Sequence, residues 1–332
     1  MTLSASVIVC AYSDARWRRL TRALGSLDRQ TEPPLEVILV IDHNPALLAR
    51  AAAAFDGVTV LASGGGPGLA GARNTGLRVA RGDVVAFLDD DAVADPDWLC
   101  ELLAEFERPD VLGVGGVVSP AWPAGSGAGW LPEEFYWTVG CSYLGLAGPG
   151  SSLRNPIGAN MAFRRDALLR VGGFCEELGR VGGFPSGCDE TELAIRLHRA
   201  SGGGRIVHCS RARVEHEVDP ARLRLPYFVA RCWAEGLSKA VVEARVGRDR
   251  ALESERRYVV HTLPAGVLSG LADAHRGVPG GLSRAGAIGL GLGVTVCGYL
   301  TGRGRLAARR QLAGASSPAR RDGSRAAGAV AA

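Results

Sequence analysis

The chain has 332 residues, 47% of them hydrophobic and 22% charged, which excludes disorder for the whole and allows one large domain or two smaller ones. Its net charge of +4 falls far short of the concentrated positive field that nonspecific binding to a phosphate backbone needs, so no nucleic acid partner is expected. Of the 38 basic residues Lys239 alone is lysine, a bias that suits diphosphate recognition by arginine forks but that a GC-rich genome also produces.

The first 120 residues alternate short β-rich runs with helical patterns, the mark of a mostly parallel sheet covered by helices. Strands are predicted over 6–10 (SVIVC), 35–41 (LEVILVI), 58–61, 84–88 (VVAFL) and 111–118. Trp17, Leu20, Ala23, Leu24 and Leu27 recur at a helical period, and further helices are predicted over 70–80 and 96–107, the latter with Asp95 as its cap. From 120 to 156 glycine, proline, serine and aromatics break the pattern into a long functional loop region. Regularity returns with a strand over 157–163, a short helix over 166–171, a helix over 191–200 entered through a turn at 187–190, and a strand-like stretch at 213–215.

Beyond Pro220 the segments are long and amphipathic. Residues 285–302 carry no charge and are flanked by Arg284 and by Arg303, Arg305, Arg309 and Arg310. This run sits at the lower length limit for a membrane span and is diluted by glycine, which favours a segment lying in or dipping into a membrane interface over a span or a soluble helix. The expected organisation is therefore a catalytic domain over 1–220, a helical membrane-associating extension over 221–312, and a disordered tail over 313–332. The eight cysteines have no C-x-x-C or zinc-finger spacing, and Met1 to Ala5 leads straight into a strand, so a reducing, cytoplasmic location is expected.

In open α/β sheets ligands sit beyond the carboxyl ends of the strands, where loops converge. The first strand ends into Ala11, Tyr12, Ser13 and Asp14, the second into Asp42, and the fourth into Asp89, Asp90 and Asp91. Three carboxylates in a row repel one another, and a hard divalent cation such as Mg²⁺ or Mn²⁺, shared with a diphosphate, relieves that cost. A second acidic pair, Asp189 and Glu190, opens a helix, where the dipole alone favours carboxylates but where one can also act as a general base. His216, flanked by Glu215 and Glu217, is either structural or the imidazole that completes the metal shell. Residues 66–71 spell G-x-G-x-x-G, but a dinucleotide fold places that motif at the first strand, so these glycines read as a flexible loop ahead of Arg73, whose guanidinium can reach a phosphate.

These motifs, in order, resemble family 2 glycosyltransferases of the GT-A fold over about two thirds of the chain. The similar stretches are SVIVCAY, VILVIDHN, GLAGARNTGLRVARGDVVAFLDDD, GANMAFRRDALLRVGGF and CDETELAIRLHRASGGGRIVHCSRARVEH. The resemblance implies an inverting single displacement that moves a sugar from a nucleotide diphosphate donor, a UDP-sugar foremost, to an acceptor hydroxyl. It implies donor contacts from Ala11, Tyr12, Asp14, Asp42, Arg73, Asp89 and Asp90, with Asp89, Asp91 and His216 around Mg²⁺ or Mn²⁺. The family usually has Glu then Asp before its Thr-acid-Leu run, whereas this chain has Asp189 then Glu190, so either is a candidate base. LPEEFYWTVGCSYLG and RNPIGANMAFRR are similar to a narrower group acting on polyprenyl phosphate-linked glycans. From that likeness Trp137, Cys141, Tyr143 and Asn160 are expected at the acceptor, and the work at the inner face of the plasma membrane. A catalytically lapsed assembly scaffold and a nucleotide-dependent oxidoreductase are the alternatives.

Overall fold

The computed structural model describes residues 3–124, 129–146, 148, 150–154, 156–178, 187–247 and 256–315. β1 (Ala5–Ala11) is apolar and buried almost throughout, as a strand covered on both faces must be. It pairs in parallel with β2 (Glu36–Ile41) and β4 (Val84–Asp89), and β2 pairs in parallel with β3 (Val58–Ala62). The rest of the sheet is mixed. β7 (Asn160–Arg164) runs antiparallel to both β4 and β6 (Val111–Ala121), while β6 and β8 (Arg205–Glu217) are parallel and β5 (Ala92–Ala94) is antiparallel to β8. The resulting order is β3-β2-β1-β4-β7-β6-β8-β5. The expected α/β sheet is present, and the reversed β5 and β7 set its catalytic edge.

Helices cover the sheet. α1 (Trp17–Leu27) buries Leu20, Ala23, Leu24 and Leu27, the predicted stripe. α2 (Pro45–Ala54) escaped the apolar pattern; its signal is local, with Asn44 accepting from the Leu47 N–H at 3.0 Å and proline in the first turn. α3 (Leu69–Val79) carries Arg73. α4 (Trp98–Glu105) starts later than predicted. Asp95 does not cap it with its side chain: its carbonyl accepts the Trp98 N–H at 3.0 Å, and Gln30 clamps this turn by donating to the same carbonyl at 2.8 Å. α5 (Arg165–Arg170) and α6 (Asp189–Ser201) follow the predicted pattern.

Residues 157–160 form a turn rather than the start of a strand, closed by the Asn160 N–H on the Ile157 carbonyl at 2.9 Å. This overturns the acceptor role expected of Asn160. Its side chain is fully buried, accepting from Trp98 Nε1 at 2.8 Å and donating to the carbonyls of Val117 at 2.9 Å and Ala212 at 3.0 Å. Asn160 instead ties β6, β8 and α4 together, so Asn160→Ala is expected to remove about 3 kcal/mol from the unfolding free energy by stranding buried partners. Urea melts read this directly; a loss within error of zero would show that the bonds hold nothing.

Beyond β8 the described chain is helical. α7 (Leu225–Val246), a π-helical turn at Tyr258–Thr262, α8 (Leu263–His275) and α9 (Gly281–Ala315) pack on one another and on the sheet domain. Phe228, Cys232, Leu263 and Ile288 belong to the same core as Val9, Leu88 and Val118, so these helices share the interior of the sheet domain. Within α9 the stretch Gly281–Ala308 is long and apolar enough to cross a membrane, with a mean hydropathy of 1.4 and one third of its apolar window (33%) buried. The predicted tail, from residue 316 onward, lies outside the described residues.

Candidate active site

The acidic triplet owes its placement to strand pairing. β1 and β4 are in register with Cys10 opposite Asp89, so Asp89 emerges at the carboxyl edge shared with Ala11. Three residues later β5 begins, and Ala92 pairs with His216 on β8. The Glu217 N–H donates to the Asp91 carbonyl at 2.9 Å, and His216 Nε2 lies 3.1 Å from Asp91 Oδ1. Asp89, Asp91 and His216 thereby bring ligand atoms within 4.8 Å of one another. Two hard oxygen donors and an imidazole fit a divalent ion of the Mn²⁺ or Mg²⁺ kind.

Arginines balance these acids. Arg16, from the 3₁₀ turn after β1, reaches Asp90 at 2.9 Å and also pairs with Asp91, while Arg222 lies 3.9 Å from Asp91. Burial works to raise Asp91, but His216, Arg16 and Arg222 outweigh it and hold its carboxyl well below the usual range. Burial dominates at Asp90, which with Asp91 beside it is pushed up to about 8 despite Arg16. Asp90 is thus buried against Arg16 and does not line the cavity, so its expected donor contact is not made from this position.

The second acid pair meets the first through Arg73. This buried guanidinium lies 2.9 Å from Asp189, 3.0 Å from Glu190 and 3.7 Å from Asp89. Gly158, in the turn before β7, makes the approach possible, because a Cβ there would collide with both Arg73 and Glu190. Burial and the neighbouring Glu190 charge push the Asp189 carboxyl well up. Burial also works on Glu190, yet Arg73 and a hydrogen bond from Asp189 bring it down, leaving Glu190 the ionised member.

Asp89, Arg73, Asp189, Glu190 and His216 open on a cavity of about 900 Å³, at the large end for a ligand site. Its opposite wall comes from α7, the π-helical turn and α9. Trp137 and Tyr143 line it as expected: Trp137 Nε1 donates to Tyr258 Oη at 3.3 Å, and the Tyr143 and Tyr258 rings meet edge to face at 5.8 Å. Cys141 does not. It is wholly buried with Sγ 3.9 Å from His216 Nδ1, a backing for the imidazole rather than an acceptor contact.

The remaining expected donor residues gather outside this cavity, at the ends of β1 and β2. Asn44 Nδ2 donates to the Tyr12 carbonyl at 3.1 Å and to Asp14 at 3.0 Å, and the Tyr12 ring is 54% exposed. Ala11 is buried beneath them. Asp42 accepts from the Gly68 N–H at 2.9 Å, and Gly66 donates to Glu176 at 3.1 Å, so the glycine motif is held by the chain's own carboxylates. Arg16, Arg222 and the α7 charges were invisible to the sequence reading, since no local pattern announces a contact made so far along the chain.

A partly parallel sheet with clustered acids, an imidazole and a deep cavity at its carboxyl edge is the arrangement of a glycosyltransferase of the GT-A type. The model described as glycosyl transferase family 2 matches residues 6–172. The glucosyl-dolichyl phosphate glucuronosyltransferase of Haloferax volcanii is 36% identical over 73% of this chain and 78% of that protein. The succinoglycan biosynthesis protein ExoM of Rhizobium meliloti is 28% identical over 71% and 74%. Among solved structures, the mannosyltransferase PcManGT from Pyrobaculum calidifontis, in complex with GDP-Man and Mn²⁺, superposes with a TM-score of 0.59 at 20% identity, covering 90% of this chain and 88% of that one. The chain belongs to glycosyl transferase family 2, which removes the oxidoreductase alternative.

Proposed function

We propose that this enzyme transfers a sugar from a nucleotide diphosphate sugar, a UDP-sugar foremost, to a hydroxyl of a glycan carried on a polyprenyl phosphate. The observation that carries the reading is one cavity lined by Asp89 and His216, with Asp91 clustered behind them, and by the Glu190 carboxylate, and walled on its far side by the C-terminal helices. In this reading Asp89, Asp91 and His216 hold Mn²⁺ or Mg²⁺, which offsets the negative charge of the departing nucleotide diphosphate. Arg73 places its fork between the donor side and the acid pair, and Tyr12, Asp14 and Asp42 face the nucleoside. Glu190 takes the proton from the acceptor hydroxyl while protonated Asp189 steadies it by a hydrogen bond. Trp137 and Tyr143 offer ring faces to the acceptor.

The 36% identity to an enzyme whose name specifies a dolichyl phosphate acceptor supports the lipid-linked class. So do the large apolar side chains that α8 and α9 leave exposed, among them Leu268, Leu282 and Leu300. These faces rest on the inner leaflet in this reading, with Arg303 and Arg305 at the anionic headgroups. Thermal shift with a panel of nucleotide sugars tests the donor half. A UDP-sugar is expected to raise the melting temperature by several degrees with Mn²⁺ and not with EDTA, because a ligand binding only the native state stabilises it. Equal shifts in both buffers would remove the cation from the donor site.

A further inference from the structure

On the cavity wall facing the acid pair, α7 presents Arg231, Glu235 and Lys239, spaced so that all share one helix face. Glu235 accepts from Arg231 Nη1 at 2.8 Å and lies 3.3 Å from Lys239 Nζ. Glu235 thus bridges two cations of this face, and Arg256 adds a third positive side chain to the same lining. Arg231 is only 8% exposed, and its Nε is buried with no hydrogen-bond partner among the described residues. A buried donor left in that state costs free energy until an acceptor reaches it. A buried guanidinium donor still waiting for an acceptor, beside further cationic side chains in a cavity, suits an anion.

The position of this group relative to the reaction is fixed by Gly187. A Cβ there would stand 2.8 Å from Arg231 Nη2, so only glycine lets the guanidinium lie against the turn that leads into Asp189 and Glu190. Cys188 Sγ donates to Glu235 at 3.2 Å and the Arg231 guanidinium lies over the Trp137 ring, while apolar side chains lead away from the group. Val259, Val260 and Val296 line the cavity and are at the same time 37%, 55% and 45% exposed, so the cavity is continuous with the outer apolar face. Charge inside with hydrocarbon leading outward matches a phosphate monoester or diester of a long alcohol better than a free anion.

We propose that Arg231 and Lys239, with Arg256 at the rim, seat the phosphate that joins the acceptor glycan to its lipid, and that Val259, Val260 and Val296 conduct the chain to the surface. This deepens the lipid-linked reading above and rests on it for the chemistry performed at Glu190. Lipid phosphate and free phosphate share the recognising groups, so the test separates them by titrating the full-length protein calorimetrically with farnesyl phosphate, farnesol and inorganic phosphate. Farnesyl phosphate is expected to bind at least about tenfold more tightly than either of the others, the gain of a charge-assisted hydrogen bond added to apolar burial. Lys239→Gln and Arg256→Gln, both less buried than Arg231 and safer for folding, are each expected to weaken farnesyl phosphate about tenfold and to leave farnesol alone.

Farnesol binding as tightly as its phosphate, inorganic phosphate matching farnesyl phosphate, or indifference to both substitutions would each overturn the proposal. Competition between farnesyl phosphate and UDP with Mn²⁺ would also overturn it, by placing the phosphate at the donor acids. If UDP binding proves independent of Mn²⁺ while the farnesyl phosphate pattern holds, the donor reading fails and the phosphate seat stands.

Discussion

Glu190→Gln is expected to lower kcat about a thousandfold while leaving nucleotide binding with Mn²⁺ unchanged, within the range that positioned general bases contribute. The substitution keeps size and shape but removes the charge that accepts the proton. Glu190 is the less deeply buried acid of the pair, its carboxyl brought down by Arg73 at 3.0 Å, whereas Asp189 is pushed up by burial and by the Glu190 charge. Asp189→Asn preserves a neutral hydrogen-bonding group and is expected to cost less. Single-turnover transfer rates with saturating donor measure both. Full activity in the glutamine variant, or a larger loss in the asparagine variant, would hand the proton to Asp189.

Asp91→Asn is expected to cost about a thousandfold in kcat/KM and to abolish the dependence of nucleotide binding on Mn²⁺, a loss of roughly 4 kcal/mol. Asp91 is the acid that His216, Arg16 and Arg222 hold most firmly ionised, and its carboxylate faces Asp89 and His216 across less than 4.8 Å. Removing one negative ligand weakens a hard cation far more than it disturbs the sheet, because the backbone bond from Glu217 to the Asp91 carbonyl survives. Titrating UDP against Mn²⁺ concentration checks the claim. A variant that still needs Mn²⁺ for nucleotide binding would move the cation elsewhere.

Much of the fold could be read from periodicity. β1, β4 and α1 are long apolar patterns whose period decides their type, and they appear where the pattern sets them. α2 was missed because its buried side chains are few, with capping by Asn44 as the clearer sign. β8 was read only near 213–215, since its register with β6 shifts and breaks the alternation. At the site, the acids were legible because carboxylates crowded after an apolar strand need compensation. What supplies it was not legible. Arg16 and Arg73 neutralise much of that charge from distant segments, and no spacing in the chain reveals such meetings. Asn160 and Cys141 were misplaced for a related reason: sequence order puts them beside the acceptor region, while side-chain direction sends one into the sheet and the other behind His216.

One wall of the cavity is drawn from α7 and α9, the last helices of the described chain. A ribosome therefore exposes the carboxylates of the first two hundred residues well before the partner wall exists to exclude water. Until α9 docks against α7, those acids face an open shelf rather than an enclosed chamber, so the exclusion of water that protects an activated sugar from hydrolysis arrives only with the last helix. Assembly order itself ties competence to the same long apolar helix that the proposed function sets at the lipid.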